Sequence, residues 1–592
     1  MRVLGDGAET EIARRAERGE KAREAKRRAR AENAEWRLLL VSVFFTVAFL
    51  TLGGRMALLA ATEPEEPRLD PGSSVIAAVE RAPITDRNGR LLATNLPSWA
   101  IYAHPEETRR AGIGAEEAAA KLASVLPEIG EETFRARFAP GRKFVWIKRP
   151  ASPAERQAVH DLGLPGVYFG QRETRLYPAG RIGAHVLGGA TTGAEAVDSA
   201  ELVGLAGVER RLDAELRDPA RAGAPLALSI DLVAQTALTD VMGAAMKEFK
   251  AVAASAVLMD AHNGEIIAMV SLPDFDPNAR PDTRDPDVAR VRPMMNRAAE
   301  GVYELGSTFK LFAAAQALET GLYAPESLIE TAGPLRMGRF KISDFHRMPA
   351  RMTLRDVIVE SSNVGTSRIA LAIGGAAQKA FLAKLGFMEP TRLEIAEARL
   401  GQPLFPEKWG QLSTMTISFG HGLAATQLHL AAAYASLLNG GLRVHPTLRP
   451  GAPAPTEADR VVSTRTSRQL REILRAVVAE EKGTGNFAEV PGYEVGGKTG
   501  TADKPSRGGY DESKTISTFA GAFPMSAPEY VLVVTLDEAS TYKFGRTWRT
   551  AGWTAAPTAG VAVKRLAPIL GMRPIPAPEA MAEGDVNKVG LE

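Results

Sequence analysis

Three short stretches of this 592-residue chain carry side chains able to do covalent chemistry together. In the first, Gly306-Ser307-Thr308-Phe309-Lys310 runs into the apolar segment LFAAAQALETG, which has helical composition. That places Ser307 at the amino end of a helix and Lys310 one turn later on the same face. A helix terminus favours developing negative charge, and burial lowers the proton affinity of a lysine, so the pair suits a hydroxyl nucleophile with an amine base. The S-x-x-K pattern is cheap, however. It recurs at Ser540-Thr541-Tyr542-Lys543, in a loop after a strand, where it reads as accidental. Taken alone, Ser307 reads as a helix cap.

The second stretch, Ser361-Ser362-Asn363, lies between TLRDVIVE and VGTSRIALAIG. In isolation it is a turn that caps the following helix. The third is Lys498-Thr499-Gly500-Thr501. A glycine inside a strand lets another backbone approach closely, and the flanking hydroxyls and ammonium can hold an anion. This segment also completes a decoy, since Gly492 to Thr499 fits the G-x-x-x-x-G-K-[ST] phosphate loop. A phosphate loop must open a helix, and Gly500, Pro505 and Gly508-Gly509 follow instead, so no nucleotide site is expected. The eight histidines form no H-E-x-x-H, which disfavours a zinc hydrolase; His346 and His421 read as structural or cleft-lining.

Order decides the matter. S-x-x-K, then S-x-N, then K-T-G is the set found in class A β-lactamases and penicillin-binding proteins. Asp86-Arg87-Asn88-Gly89, Tyr177-Pro178-Ala179-Gly180, Gly207-Val208-Glu209, Ser418-Phe419-Gly420-His421-Gly422 and Gly483-Thr484-Gly485 support it. With them, the chain resembles the class B penicillin-binding proteins, most of all those acting as cell-division transpeptidases, from its apolar anchor to about Leu566. It departs from them at Leu305 (usually Pro), His421 (commonly Tyr) and Gly496 (commonly Ala).

The resemblance implies the roles. Ser307 attacks the penultimate D-alanine of a stem peptide, Lys310 takes its proton, and Ser361, hydrogen-bonded to Lys498, passes a proton to the leaving amine. Asn363 holds the peptide amide, Thr499 and Thr501 receive the terminal carboxylate, Gly500 lies between them, and the N–H groups of Ser307 and Thr501 form the oxyanion hole. A second peptide's amine resolves the ester. No metal or organic cofactor is implied. β-Lactams are the implied inhibitors, and an FtsW-like glycosyltransferase and other division proteins the implied partners. An elongation-type enzyme would share the chemistry. A β-lactamase would have no use for an anchor, and a β-lactam sensor would need a larger signalling region.

The elements that position these residues follow from composition. Lys and Arg total 72 against 70 Asp and Glu, a net +2 that excludes nucleic-acid binding by bulk charge. Hydrophobic residues at 45% exclude wholesale disorder, and the absence of cysteine excludes disulfides and thiolate sites. Residues 1–37 carry eleven basic and eight acidic side chains, and Leu38 to Gly54 then carries none. With Arg55 snorkelling and Met56–Ala61 apolar, 38–61 is expected to be an uncleaved transmembrane anchor. The basic flank sets the amino terminus in the cytoplasm and the rest outside; the resemblance implies that the membrane is a bacterial inner membrane and the exported part periplasmic. Thr62 to Gly72 reads as a linker and 62–225 as a pedestal domain with an Asn-Gly hairpin at Ile84–Ala93. Residues 226–567 read as the transpeptidase domain, α+β, with an antiparallel sheet flanked by helices plus a helical lobe. Residues 568–592 read as a tail.

Overall fold

The computed structural model describes residues 6–62, 66, 81–197, 200–221, 223–338, 340–506 and 509–576. Two compact units emerge, one of 1–67, 101–149 and 153–169, the other of 68–100, 150–152 and 170–592. The expected linker at 62–72 lies outside the described residues except for Thr62 and Glu66.

The first unit contains α1 (Asp6–Thr62), an unbroken 57-residue helix. Its segment Trp36–Leu58 has a mean hydropathy of 1.9 and none of it is buried. At 1.5 Å per residue those 23 residues reach about 35 Å, enough to cross a hydrocarbon core of about 30 Å. Short helices make up most of the remainder; in Ala115–Val125 the buried Ala118, Ala119 and Leu122 form one stripe, as helical period requires.

In the second unit, Ile84–Thr85 pairs antiparallel with the strand Leu91–Ala103 around Gly89, whose φ is +80°. The Asn-Gly hairpin expected there is present. Five longer strands form the main sheet: β1 (Ala253–Asp260), β2 (Ile266–Leu272), β3 (Gly496–Ser506), β4 (Gly509–Phe523) and β5 (Tyr530–Asp537). Their order is β3-β4-β5-β1-β2, every neighbour antiparallel. Alternation sorts the side chains. Ala254, Ala256 and Leu258 share a core with Leu532, Val534 and Leu536, under α2 (Leu232–Glu248) and α7 (Ala555–Ile569). Val257, Met259, Val531 and Val533 join the other core, under α5 (Gln427–Leu438). Both faces are covered, which is why these strands read as continuous apolar runs.

A helical lobe on the α5 side holds α3 (Lys310–Glu319) and α4 (Asn363–Ile373), with α6 (Thr464–Ala479) packed between α3 and β3. Strand β3 is the open edge of the sheet, and it borders this lobe. Beyond Ala567, α7 continues to Ile569 and the Ile575 N–H donates to Gly492 O; residues 577–592 lie outside the described residues.

Candidate active site

Three glycines bring three pieces of backbone together around Ser307. A Cβ on Gly306, whose φ is +55°, would stand 2.6 Å from Thr501 O; one on Gly500 would stand 2.2 Å from Leu305 O; one on Gly420 would stand 2.0 Å from Gly306 O. None can carry a side chain where it is. The close approach expected of Gly500 is therefore met by the backbone just before the nucleophile. Residues Gly306–Phe309 form a 3-10 turn that leads directly into α3. Neither helix start takes a capping bond from a side chain, so Ser307 is not a cap. It lines a cleft instead.

Lys310, in the first turn of α3, is fully buried. Its Nζ donates to Ser361 Oγ at 2.9 Å and also to Ser361 O. Burial holds its pKa well below the ordinary lysine value, with the charge of Lys498 acting the same way and Asp344 opposing. An amine so placed gives up its proton more readily than an ordinary lysine, which suits it to accept one from a neighbouring hydroxyl. Lys498, on β3, is equally buried, and that burial pulls its pKa down to about 7. Its Nζ donates to Thr484 Oγ1 at 3.1 Å and Thr499 O at 3.2 Å, while Thr499 Oγ1 donates to Thr484 Oγ1 at 2.9 Å. The hydrogen bond between Lys498 and Ser361 implied by the resemblance is not formed. Thr484 and Thr499 engage Lys498, and Lys310 engages Ser361.

Ser361 sits at φ +65°, in the left-handed region that a non-glycine residue enters at a cost of order 1 kcal/mol or more. Its neighbour does the capping: Ser362 Oγ accepts from the Gly365 N–H at the start of α4. The strained backbone is held by Asp344, which accepts from Ser362 Oγ at 2.9 Å, from Val364 N–H at 3.1 Å and from Asn363 N–H. Asn363 Nδ2 donates to Ser343 O at 3.1 Å. Capping thus accounts for Ser362 and leaves the Ser361 hydroxyl to meet Lys310.

These elements enclose a cleft of about 510 Å³ lined by Ser307, Ser361, Asn363, Thr484, Thr499 and Thr501 among others. Lys310, Lys498 and Gly500 stand behind that lining. His346 lines the same cleft and His421 an adjoining one, as cleft-lining residues should. Asp344 and the aromatic wall of Phe487, Trp548 and Trp553 were not legible beforehand; Thr484 appears in the sequence only within its Gly-Thr-Gly segment. Both decoys are settled. Gly496–Ser506 is a strand where a phosphate loop needs a helix, and the second S-x-x-K, expected in a loop, instead runs from Ser540 into a short strand, Thr541–Lys543, paired with Arg546–Trp548. Among the described residues no three His, Asp or Glu gather as metal ligands.

Comparison with known proteins agrees with this geometry. Residues 254–551 match the family described as the penicillin binding protein transpeptidase domain, and 76–220 match the penicillin-binding protein dimerisation domain. The chain is 37% identical over 553 residues to the probable peptidoglycan D,D-transpeptidase FtsI of Caulobacter vibrioides, covering 91% of this chain and 89% of that one. It is 30% identical over 576 residues to the peptidoglycan D,D-transpeptidase FtsI of Escherichia coli K12, covering 93% and 94%. Among solved structures, it resembles penicillin binding protein 3 of Mycobacterium tuberculosis complexed with aztreonam, with a TM-score of 0.63 and 26% identity over 84% of this chain and 98% of that one.

Proposed function

This chain belongs to the class B penicillin-binding proteins, with a transpeptidase and a dimerisation domain, and we propose that it cross-links peptidoglycan stem peptides at the division septum through a serine acyl-enzyme. The observation that carries the chemistry is a buried Lys310 of lowered pKa bonded to Ser361 beside a cleft that Ser307 and the Thr499–Thr501 edge share.

Ser307 Oγ attacks the carbonyl carbon of the penultimate D-alanine while Lys310 Nζ takes its proton. Backbone N–H groups of Ser307 and Thr501 face the developing oxyanion, supported by the contact of Gly306 with Thr501. The carbon–nitrogen bond breaks, and the proton held by Lys310 passes through Ser361 Oγ to the leaving D-alanine. The amine of a second stem peptide then attacks the ester, giving up a proton as Ser307 Oγ regains one. Thr499 and Thr501 receive the terminal carboxylate beside Lys498, and Asn363 orients the peptide amide. A β-lactam follows the same first step, and its ring nitrogen is the leaving group that stays attached.

Helix α1 anchors the enzyme, its basic amino-terminal side in the cytoplasm and the catalytic unit in the periplasm of a bacterial inner membrane. The glycan polymerase it works beside is an FtsW-like membrane protein within the division machinery. Intact-mass measurement after benzylpenicillin, with mapping of the modified peptide, should place one adduct on Ser307. Ser307→Ala should abolish labelling and Ser540→Ala leave it intact; labelling that survives the first change refutes the assignment. A fluorescent fusion should gather at midcell, and a side-wall pattern would assign the enzyme to elongation.

A further inference from the structure

Tyr434 lies within α5, a helix buried along its whole length. A phenol there must set its hydroxyl on an acceptor. The acceptor is the carbonyl oxygen of Thr308, at 2.8 Å, and Thr308 is the residue directly after Ser307. Burial holds the Tyr434 pKa well above the ordinary tyrosine value, so the hydroxyl keeps its proton and donates. The ring is held as well. Phe312 meets it edge-on at 6.0 Å, and Phe309, Phe312 and Phe387 pack on one another at 5.0 to 5.2 Å. Thr426 and His429 form a capping box at the start of α5, and His429 Nε2 donates to Glu389 O at 2.8 Å, which fixes the helix that carries the tyrosine.

The bond from Tyr434 holds a geometry. Gly306–Phe309 is a 3-10 turn, closed where the Lys310 N–H donates to Ser307 O. Side chains three residues apart eclipse in a 3-10 turn, whereas an α-helix sets them about 60° apart. The tighter winding therefore stacks Lys310 on Ser307. Thr308 is pinned twice within that turn: its Oγ1 donates to Leu305 O at 2.9 Å, and its carbonyl accepts from Tyr434. Ring packing alone leaves slack, since Phe309 and Phe312 also line a small cavity. Released from its outside partner, such a turn relaxes toward α geometry, because its own hydrogen bonds are the poorer ones.

We propose that Tyr434 is a positioning residue for the nucleophile: through the Thr308 carbonyl its hydroxyl keeps the turn in 3-10 form and Ser307 aligned with Lys310. The assignment rests on the transpeptidase reading above and adds to it a residue that acts from behind the cleft, through Thr308.

Tyr434→Phe removes one oxygen and keeps the ring. Quenched acylation of the full chain in detergent, read by intact mass over a range of benzylpenicillin concentrations, separates the limiting acylation rate from the dissociation constant of the preceding complex. The limiting rate should fall about tenfold, as a shift of a few tenths of an ångström at the reacting groups would cause. The dissociation constant should stay within about twofold, and labelling should still reach one adduct per chain. Ser436→Ala is the control. Two positions on, about 200° round α5, Ser436 Oγ donates to Ala432 O at 2.6 Å and accepts from the Val444 N–H at 3.1 Å. That variant deletes a buried hydroxyl from the same helix, and its limiting rate should match the wild type. A Tyr434→Phe rate within twofold of wild type, an equal drop in Ser436→Ala, or a loss confined to the labelled fraction or to the dissociation constant overturns the proposal. A failure of benzylpenicillin to modify Ser307 in the unaltered chain would instead sink the transpeptidase reading.

Discussion

Gly500 and Leu305 are packed so closely that a Cβ on the glycine would lie 2.2 Å from the Leu305 carbonyl oxygen. That contact fixes the distance between the Thr499–Thr501 edge of β3 and the turn bearing Ser307. Gly500→Ala should push the two apart, and misplacement of reacting groups by about 1 Å costs about a hundredfold in rate. The second-order rate of benzylpenicillin labelling should drop by that order while circular dichroism shows a folded protein. Labelling within threefold of wild type would mean the strand accommodates the methyl group without moving the serine.

Lys498 should give the reaction an alkaline limb. Burial pulls its pKa to about 7 against 10.5 for an ordinary lysine, so above neutrality the ammonium proposed to sit beside the ligand carboxylate is lost. Acylation by a carboxylate-bearing β-lactam should fall as pH rises above 7, toward tenfold per unit once pH is well past 7. The same lysine opposes folding, fully below pH 7, where its charge has to be buried; between 7 and 10.5 only the unfolded chain holds the proton, and the penalty shrinks as pH climbs. Lys498→Arg, charged throughout, should flatten the limb whatever its absolute rate. Stopped-flow acylation across the pH range reads both.

Much of this site is legible in sequence because its parts are local. The three-residue step from Ser307 to Lys310, the glycine in the Lys498–Thr501 strand, and the Asn-Gly turn at Gly89 each carry their own geometry. What stays hidden is non-local. Asp344 reaches Ser362 and Asn363 only after a loop folds back, and nothing about its neighbours marks it. Ser361 adopts a backbone that serine rarely takes, so its type gives no warning. Pairing of β5 with β1 joins strands at opposite ends of the domain, which alternation alone does not assign.

Asp344 deserves its own test, since it holds the turn that presents Ser361. Asp344→Ala leaves the Asn363 and Val364 N–H groups and the Ser362 hydroxyl without their acceptor, a loss of about 1–2 kcal/mol, the upper range for a helix cap. Acylation should slow about tenfold as the turn loosens. A merely structural role would stop there. Because Asp344 favours the charged form of Lys310, its removal should also shift the acidic limb of the rate profile to lower pH. Asp344→Asn should recover much of the stability but keep the shifted limb.

Far from the cleft, Glu209 organises the second unit around a buried charge cluster. Fully buried itself, it accepts from Arg81 Nε at 2.6 Å, Arg175 Nε at 2.8 Å and Tyr177 Oη at 3.3 Å. Asp213 receives the remaining reach of Arg81 at 2.7 Å. One carboxylate thus sits between two buried guanidinium groups. Removing a partner from a buried pair costs about 3–5 kcal/mol, because the charge left behind stays desolvated. Glu209→Ala should destabilise the protein by that order, and Glu209→Gln by less, since the amide oxygen still accepts. Replacing Arg175 as well, in Glu209→Ala/Arg175→Met, should recover part of the loss, because it removes one of the stranded charges. Urea unfolding monitored by tryptophan fluorescence reads all three variants, and a double variant no more stable than Glu209→Ala would show that the penalty lies in packing rather than in unpaired charge.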